Sequence, residues 1–423
     1  MVKYRGEKYK FLHNEMAQDI FNICEFCTIN DTLYIWKDGR YVPNVEEIVN
    51  KICYKLDPTT TENNRKEVYK SIKVMDVNDR KFAEVDKYKI AFNNGVLDLR
   101  TMNFDVNQPF KYAICNKINH DYNRNAEYQP EVEEQIKKWA DYDENVEALL
   151  YQLIGYPMLV NCNLRTMFML IGTAQGGKTK FMEYVEKLYG VDNYSTFDIE
   201  EINSRFNKAQ TCGKLFNYSD DIDAGYIEKP NFLKRLISGV TTMQVENKGQ
   251  NGYKAPFYAK IIMSMNDFPK INIGNDITAW KSRFNIIHFK HTFEKNPNYD
   301  RWAEETLETK EAFEWLIMKA TEAIHKAISD GKFCYNDEKQ FKNFLENNSP
   351  LLFEALEMDI TEWDEINDIS KWYEGKKYEY GVQMSFRRFV ATFNHQSDNL
   401  EIYRTTEKQH GIRVYKYKVR FKK

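Results

Sequence analysis

The sequence predicts an α/β protein: a phosphate-loop core preceded by a small α+β domain and a pair of short helices, and followed by a helical module ending in a β-hairpin. Three observations predict it. The run MFMLIGTAQGGKTKFMEYVEKLYG joins a strand-like segment to a helix-like one through a glycine-rich loop. Short apolar runs alternate with amphipathic ones from about Leu164 to about Ser329. A basic amphipathic segment and two alternating strands close the chain.

The 423 residues balance 60 Lys and Arg against 63 Asp and Glu, with 42% hydrophobic and 15% aromatic residues. Such a chain supports about two to four domains with their own cores, and the composition excludes disordered, collagenous and disulfide-scaffold classes. The opening MVKYRGEKYKFLHNEMAQDI has no apolar leader segment, and no stretch approaches the roughly 20 apolar residues of a spanning helix. The expected location is a bacterial cytoplasm, away from membranes. Seven scattered cysteines fit reduced thiols rather than a secreted framework. Cys24 and Cys27 form a C-x-x-C that Cys53 or His13 would have to complete for zinc, with no second C-x-x-C at finger spacing.

Residues 1–130 are expected to form an N-terminal α+β domain. IFNICEFC reads as helical, TLYIWKDGRYVP as a hairpin about Asp38-Gly39, and YKIAFNNGVLDLRTMNFDV as strands about Asn93-Asn94-Gly95. The polar stretch HDYNRNAEYQP marks a boundary. Residues 131–163 carry apolar positions at three- and four-residue spacing, as in a short helical collar.

Residues 164–329 hold the chemistry. Gly172, Gly176, Gly177, Lys178 and Thr179 make a G-x-x-x-x-G-K-[ST] loop between a buried strand and a helix whose Phe181, Val185 and Leu188 share a face. Glycines let backbone N–H groups converge on phosphate oxygens, the helix end adds partial positive charge, Lys178 reaches the β/γ-phosphates and the Thr179 hydroxyl ligates Mg²⁺. The cofactors expected are therefore ATP and Mg²⁺. KLFNYSDDID supplies the acids such a site needs, Asp220 toward Mg²⁺ and Asp221 as base, an N-cap pair being the plainer alternative. YAKIIMSMNDFPKI ends a strand at Asn266, placed for the γ-phosphate or the lytic water unless it only starts the turn before Pro269. AWKSRFNIIHF sets Arg283 before a strand, where its guanidinium could serve a neighbouring subunit's γ-phosphate or lie on the surface. MQVENKGQNGYKAPFY reads as a hairpin carrying Lys248 and Lys254 to grip a nucleic-acid backbone and Tyr253 to stack on a base, or else as a solvated tip.

Residues 330–423 change sign. From Leu351 to Tyr380 nine acids face three lysines, and from Gly381 to Lys423 ten Lys or Arg face three acids. MSFRRFVATFN followed by LEIYRTTEKQHGIRVYKYKVRF resembles a winged helix, with Arg387, Arg388, Arg413, Lys416, Lys418 and Arg420 as candidate contacts to the phosphate backbone of duplex DNA.

Read in order, the phosphate loop, Asp220-Asp221, the lysine hairpin, Asn266 and Arg283 resemble a superfamily 3 helicase of the AAA+ class. The pattern is similar to the helicase half of poxvirus- and phage-type primase-helicases and to replication initiators of staphylococcal pathogenicity islands and cassette chromosomes. The resemblance covers about residues 90 to 290, NNGVLDLRT included, and the flanks only by architecture. It implies a Walker A at Gly172, Gly177, Lys178 and Thr179, a Walker B at Asp220 and Asp221, a sensor at Asn266, an arginine finger at Arg283 and a DNA-contacting Lys248. It also implies a hexameric ring on single-stranded DNA, binding to a duplex origin and partnership with host or element replication proteins. Two departures are Ser219-Asp220-Asp221 where the family commonly has an Asp-Glu or Glu-Asp pair, and Ser282 where a basic residue often precedes the finger, with Lys281 a possible substitute. No acidic set in the first 130 residues supports primase chemistry. The rival expectations are a AAA+ ATPase that loads or remodels a partner protein, and an origin-binding protein that does not hydrolyse ATP.

Overall fold

The computed structural model describes residues 4–5, 10–29, 32–75, 81–82, 84–107, 109–204, 206–220, 226–227, 230–239, 243–246, 253–271, 277–381, 384–397, 399–409 and 412–422. Its centre is a five-stranded parallel sheet in the order Phe284–His288, Met167–Ile171, Lys260–Met265, Phe216–Ser219, Tyr194–Ser195. The phosphate-loop strand Met167–Ile171 and its neighbour Lys260–Met265 are buried at every position, as expected where both faces of a parallel sheet are covered.

Strand alternation assigns the two faces to different cores. Phe168, Leu170, Ile262 and Ile287 point into a core shared with Phe181, Val185 and Leu188 of the helix Lys178–Tyr189 and with the collar. Met167, Met169, Ile171, Ile261 and Met263 point the other way, into a core shared with Phe341, Phe344, Phe389 and Phe393 of the C-terminal module. The collar consists of helices Pro130–Trp139 and Glu144–Gly155. The first has proline in its opening turn, Glu131 and Glu133 near its N-terminus and Lys137 and Lys138 in its last turn, matching the helix dipole. The second starts at Asp143, whose carboxylate accepts from the Asn145 and Val146 amides, and it packs along the 21-residue helix Lys310–Asp330.

The N-terminal part pairs Arg40–Val42, Thr32–Lys37, Phe26–Ile29 and Lys81–Phe82 in one sheet, with helices His13–Ile23, Val45–Leu56 and Glu62–Val74. The Asp38-Gly39 turn has positive φ at both residues, the geometry that matches strand twist in a two-residue hairpin. A three-stranded antiparallel sheet, Lys89–Phe92, Gly95–Asp98 and Asn103–Asp105, follows. One expectation is corrected here. IFNICEFC is not one helix, because the helix ends at Ile23 and Phe26–Ile29 pairs with Thr32–Lys37. Antiparallel pairing with Thr32–Lys37 decides the second half of that run, which is too short for helical periodicity to specify. The cysteines fall in different cores: Cys27 faces the collar-side core, while Cys53 lies in the core beneath the first helices with Cys24 at its edge. Among the described residues no group of three or more His, Cys, Asp or Glu is arranged to hold a metal.

After Gly331 come helices Glu338–Asn348, Pro350–Glu357, Ile360–Asp364, Ile369–Glu379 and Phe386–Gln396, then the hairpin Leu400–Gln409 with Ile412–Phe421. The first of these helices docks on the central domain: Gln340 pairs with His288, Lys281 with Glu338, and Asn348 Oδ1 accepts from the Ile271 amide. No helix among the described residues is long and apolar enough to cross a membrane.

Candidate nucleotide site

The phosphate-loop strand ends at Ile171, and the chain turns through residues 172–177 into the helix that begins at Lys178. This turn needs glycine at two positions. At Gly172 a Cβ would lie 2.5 Å from the Phe289 carbonyl oxygen, and at Gly177, where φ is +85°, it would lie 2.7 Å from the Phe293 ring and 2.9 Å from Trp139. Gln175 is the one loop residue with a side chain at positive φ, and its carbonyl accepts from the Phe293 amide at 3.1 Å.

Lys178 is 8% exposed and donates to the carbonyls of Gly172 and Thr173 and, at 3.1 Å, to Asn266 Oδ1. Asn266 follows the neighbouring strand Lys260–Met265, so the register that pairs Met265 with Ile171 is what brings amide and ammonium together. One strand further, Asp220 follows Phe216–Ser219. Its Oδ2 accepts from the Thr179 hydroxyl at 3.3 Å and its Oδ1 from the Tyr218 hydroxyl at 2.6 Å. Burial, reinforced by that bond to Asp220, pushes the Tyr218 phenol well up, so it stays a donor. The Thr179 hydroxyl and Asp220 carboxylate are hard oxygens at the separation a small divalent cation can share with phosphate oxygens and water. Lys180, next along the helix, is held by Glu183 at 2.8 Å and Asp300 at 2.9 Å, and these bonds raise its pKa.

Lys178, Thr179, Asp220 and Asn266 thus stand at the carboxyl ends of three adjacent parallel strands, where α/β sheets place their ligand crevices. They line a cleft of about 910 Å³. Its remaining walls come from Gln135, Lys138 and Trp139 of the collar and from Phe293, Tyr299 and Trp302 beyond the last strand. These wall residues carry no motif and escape sequence reasoning, since their role depends on two segments distant in sequence folding onto the loop. Tyr218 was accessible in principle, because a residue two before a strand-end acid shares its face.

Arg283 sits at the other end of the sheet. Its carbonyl accepts from the Met167 amide at 2.8 Å, so it lies beside the start of the phosphate-loop strand, about 16 Å along the strand from the loop. Its Nη1 donates to the Ala279 carbonyl, and its buried Nε has no hydrogen-bond partner. It does not join Lys178 within one chain. Asp221 and Lys248 lie outside the described residues. Tyr253 and Lys254 fall on the strand Tyr253–Ala255, which pairs antiparallel with Met243–Val245 as the sequence pattern implied.

In the C-terminal module Arg387 and Arg388 are exposed on the first turn of the helix Phe386–Gln396. The hairpin cations are less available than their spacing implied. Lys416 and Lys418 share Glu407, and Arg420 pairs with Glu401 at 2.7 Å across the ladder. The face carrying them is a mixed one, though exposed pairs of this kind are weak and exchange readily for phosphate. Arg413 lies on the second strand of the hairpin, opposite Lys408.

Comparison with known proteins gives two partial family matches. Residues 170–283, the loop through Arg283, match a family of unknown function, DUF5906, and residues 11–142 match a family described as D5 N terminal like. No curated protein matches the chain. Among solved structures, an apo structure of the NrS-1 C-terminal region is 13% identical with a TM-score of 0.52, covering 96% of this chain and 98% of that one. A second structure of that region, described as its A form, gives 13% and 0.51 over 95% and 98%. The likeness to that region, over 96% of this chain, is one of fold.

Proposed function

We propose that the chain is a Mg²⁺-dependent ATPase of the AAA+ superfamily 3 class that acts as a ring-forming DNA helicase in the initiation of phage or mobile-element replication. The observation that carries this reading is the convergence of Lys178, Thr179, Asp220 and Asn266 on one cleft at the strand ends. The D5-type match before the core and the fold shared with the NrS-1 region support a place among phage-type primase-helicase proteins.

The residues divide the work. Lys178, already anchored by two carbonyls and Asn266, exchanges neutral acceptors for charged phosphate oxygens, a stronger bond. Thr179 and Asp220 would hold Mg²⁺, which supplies charge neutralisation at the β- and γ-phosphates. Asn266 orients the attacking water, and Asp221 takes its proton. Arg283, distant from its own loop, serves the site of the adjacent subunit, which makes hydrolysis depend on assembly. The hairpin Met243–Val245 and Tyr253–Ala255, with Lys248, Tyr253 and Lys254, grips one DNA strand in the channel, and Arg387 and Arg388 hold the duplex origin.

Unwinding of a forked duplex by wild type, Lys178→Ala and Lys248→Ala tests this. Wild type unwinds with ATP and Mg²⁺, Lys178→Ala neither hydrolyses nor unwinds, and Lys248→Ala hydrolyses without unwinding. Hydrolysis by wild type with no unwinding and no DNA binding would assign the chain to the remodelling of a protein partner instead.

A further inference from the structure

The collar side of the cleft contains a polar group that the phosphate chemistry does not use. Gln135 lines the cleft from the collar helix, is only 4% exposed, and its Nε2 has no hydrogen-bond partner. Buried amide groups are nearly always satisfied, so an orphan at the wall of a cleft points to a partner that arrives with a ligand. Its surroundings describe that ligand. Gln135 is one helical turn before Trp139 on the same buried face, and Trp139 packs against the loop at Gly177. The same cleft is lined by Phe293, tied to the loop through the Gln175 carbonyl, and by the half-buried Tyr299 and Trp302. A planar, apolar-faced group with a hydrogen-bonding edge suits a cleft lined by aromatic rings and one unpartnered amide, and Phe293 is joined to the glycine-rich loop itself.

We infer that Gln135, with the part-exposed rings of Phe293 and Trp302, forms a purine-base subsite in which the Gln135 amide reads the exocyclic edge of adenine. A Gln amide offers a donor and an acceptor side by side, matching the amino group and ring nitrogen that adenine presents, whereas the corresponding guanine edge places acceptors at both positions. The aromatic faces stack on either purine and do not discriminate. The inference rests on the nucleotide reading of the cleft and assigns base choice to the collar, a segment outside the phosphate-loop domain.

Calorimetric titration of the full chain with ADP, GDP and inorganic tripolyphosphate separates the two levels. Wild type prefers ADP over GDP by about tenfold or more, the scale of one bidentate base contact. Gln135→Leu loses about tenfold in ADP affinity, brings the ADP to GDP ratio near one, and binds tripolyphosphate as wild type does, which also shows that its loop is folded. Trp302→Ala weakens ADP and GDP alike and spares tripolyphosphate, while Lys178→Ala weakens all three. An unchanged ADP to GDP ratio in Gln135→Leu, or equal loss of ADP and tripolyphosphate, overturns the base-reading role and leaves the phosphate site standing. Failure of wild type to bind either tripolyphosphate or ADP overturns the nucleotide reading and this inference with it.

Discussion

Lys260 opens the strand that ends beside Asn266, and it is 1% exposed in a run that is apolar but for Ser264. Its ammonium donates to the carbonyls of Leu159 and Tyr258 and lies 5.2 Å from the centre of the Tyr156 ring, joining the end of the collar to the sheet. Burial lowers its pKa from 10.5 to about 8, with Cys162 opposing weakly. The folded-state pKa is therefore below the unfolded one, and between about pH 8 and 10.5 the unfolded chain binds more protons. Stability from this group consequently rises with pH across that window, and the full penalty persists below it. A shift of that size corresponds to about 3 kcal/mol. Lys260→Met removes the titration while keeping the volume. Urea unfolding of both proteins at a series of pH values gives the difference in stability, in which the other titrating groups largely cancel. Wild type should gain about 3 kcal/mol on the variant from the bottom to the top of the window. A difference that does not change with pH would refute the argument that this lysine is buried without a counter-charge.

Other substitutions probe the cleft and its partners. Asp220→Asn removes a charge beside the Thr179 hydroxyl and should lower Mg²⁺-dependent ATP turnover by about 10²-fold or more while sparing metal-free nucleotide binding; turnover near wild type would remove Asp220 from the metal site. Arg283→Ala should be as inactive as Lys178→Ala, yet a mixture of the two should hydrolyse ATP, because a mixed ring joins an intact loop to an intact arginine; an inactive mixture counts against a role in the neighbouring site. Arg387→Ala/Arg388→Ala should reduce the slope of log affinity for duplex DNA against log salt by about 2, one unit per lost phosphate contact, and a slope equal to wild type would exclude that helix from the interface.

The shape of the glycine-rich loop was legible because it is written in local backbone geometry. Gly172 and Gly177 are glycines for reasons that a Cβ contact makes explicit, and the flanking MFMLI and KFMEYVEKLY carry their own periods. Asp220 and Asn266 were legible as polar residues ending apolar runs, though only strand register brings Asn266 to Lys178. Gln135 and Trp139 were not, because in sequence they are ordinary positions of an amphipathic helix and acquire meaning only when that helix closes on Gly177. Lys260 was hidden for a related reason: one cation at the head of an apolar strand looks like a boundary residue until the collar covers it. In the C-terminal hairpin the count of basic residues was readable, while the pairing of Lys416 with Glu407 and of Arg420 with Glu401 depends on cross-strand register. The sharing of one core between the central sheet and Phe389 and Phe393 likewise follows from which face of each strand those residues meet.

The measurement that bears most directly on the central claim is steady-state ATP hydrolysis by the full chain with and without single-stranded DNA, with Lys178→Ala alongside. The account predicts hydrolysis that requires Mg²⁺, rises severalfold on addition of single-stranded DNA and vanishes in Lys178→Ala. Hydrolysis of equal rate with and without DNA, or hydrolysis that survives Lys178→Ala, would contradict it.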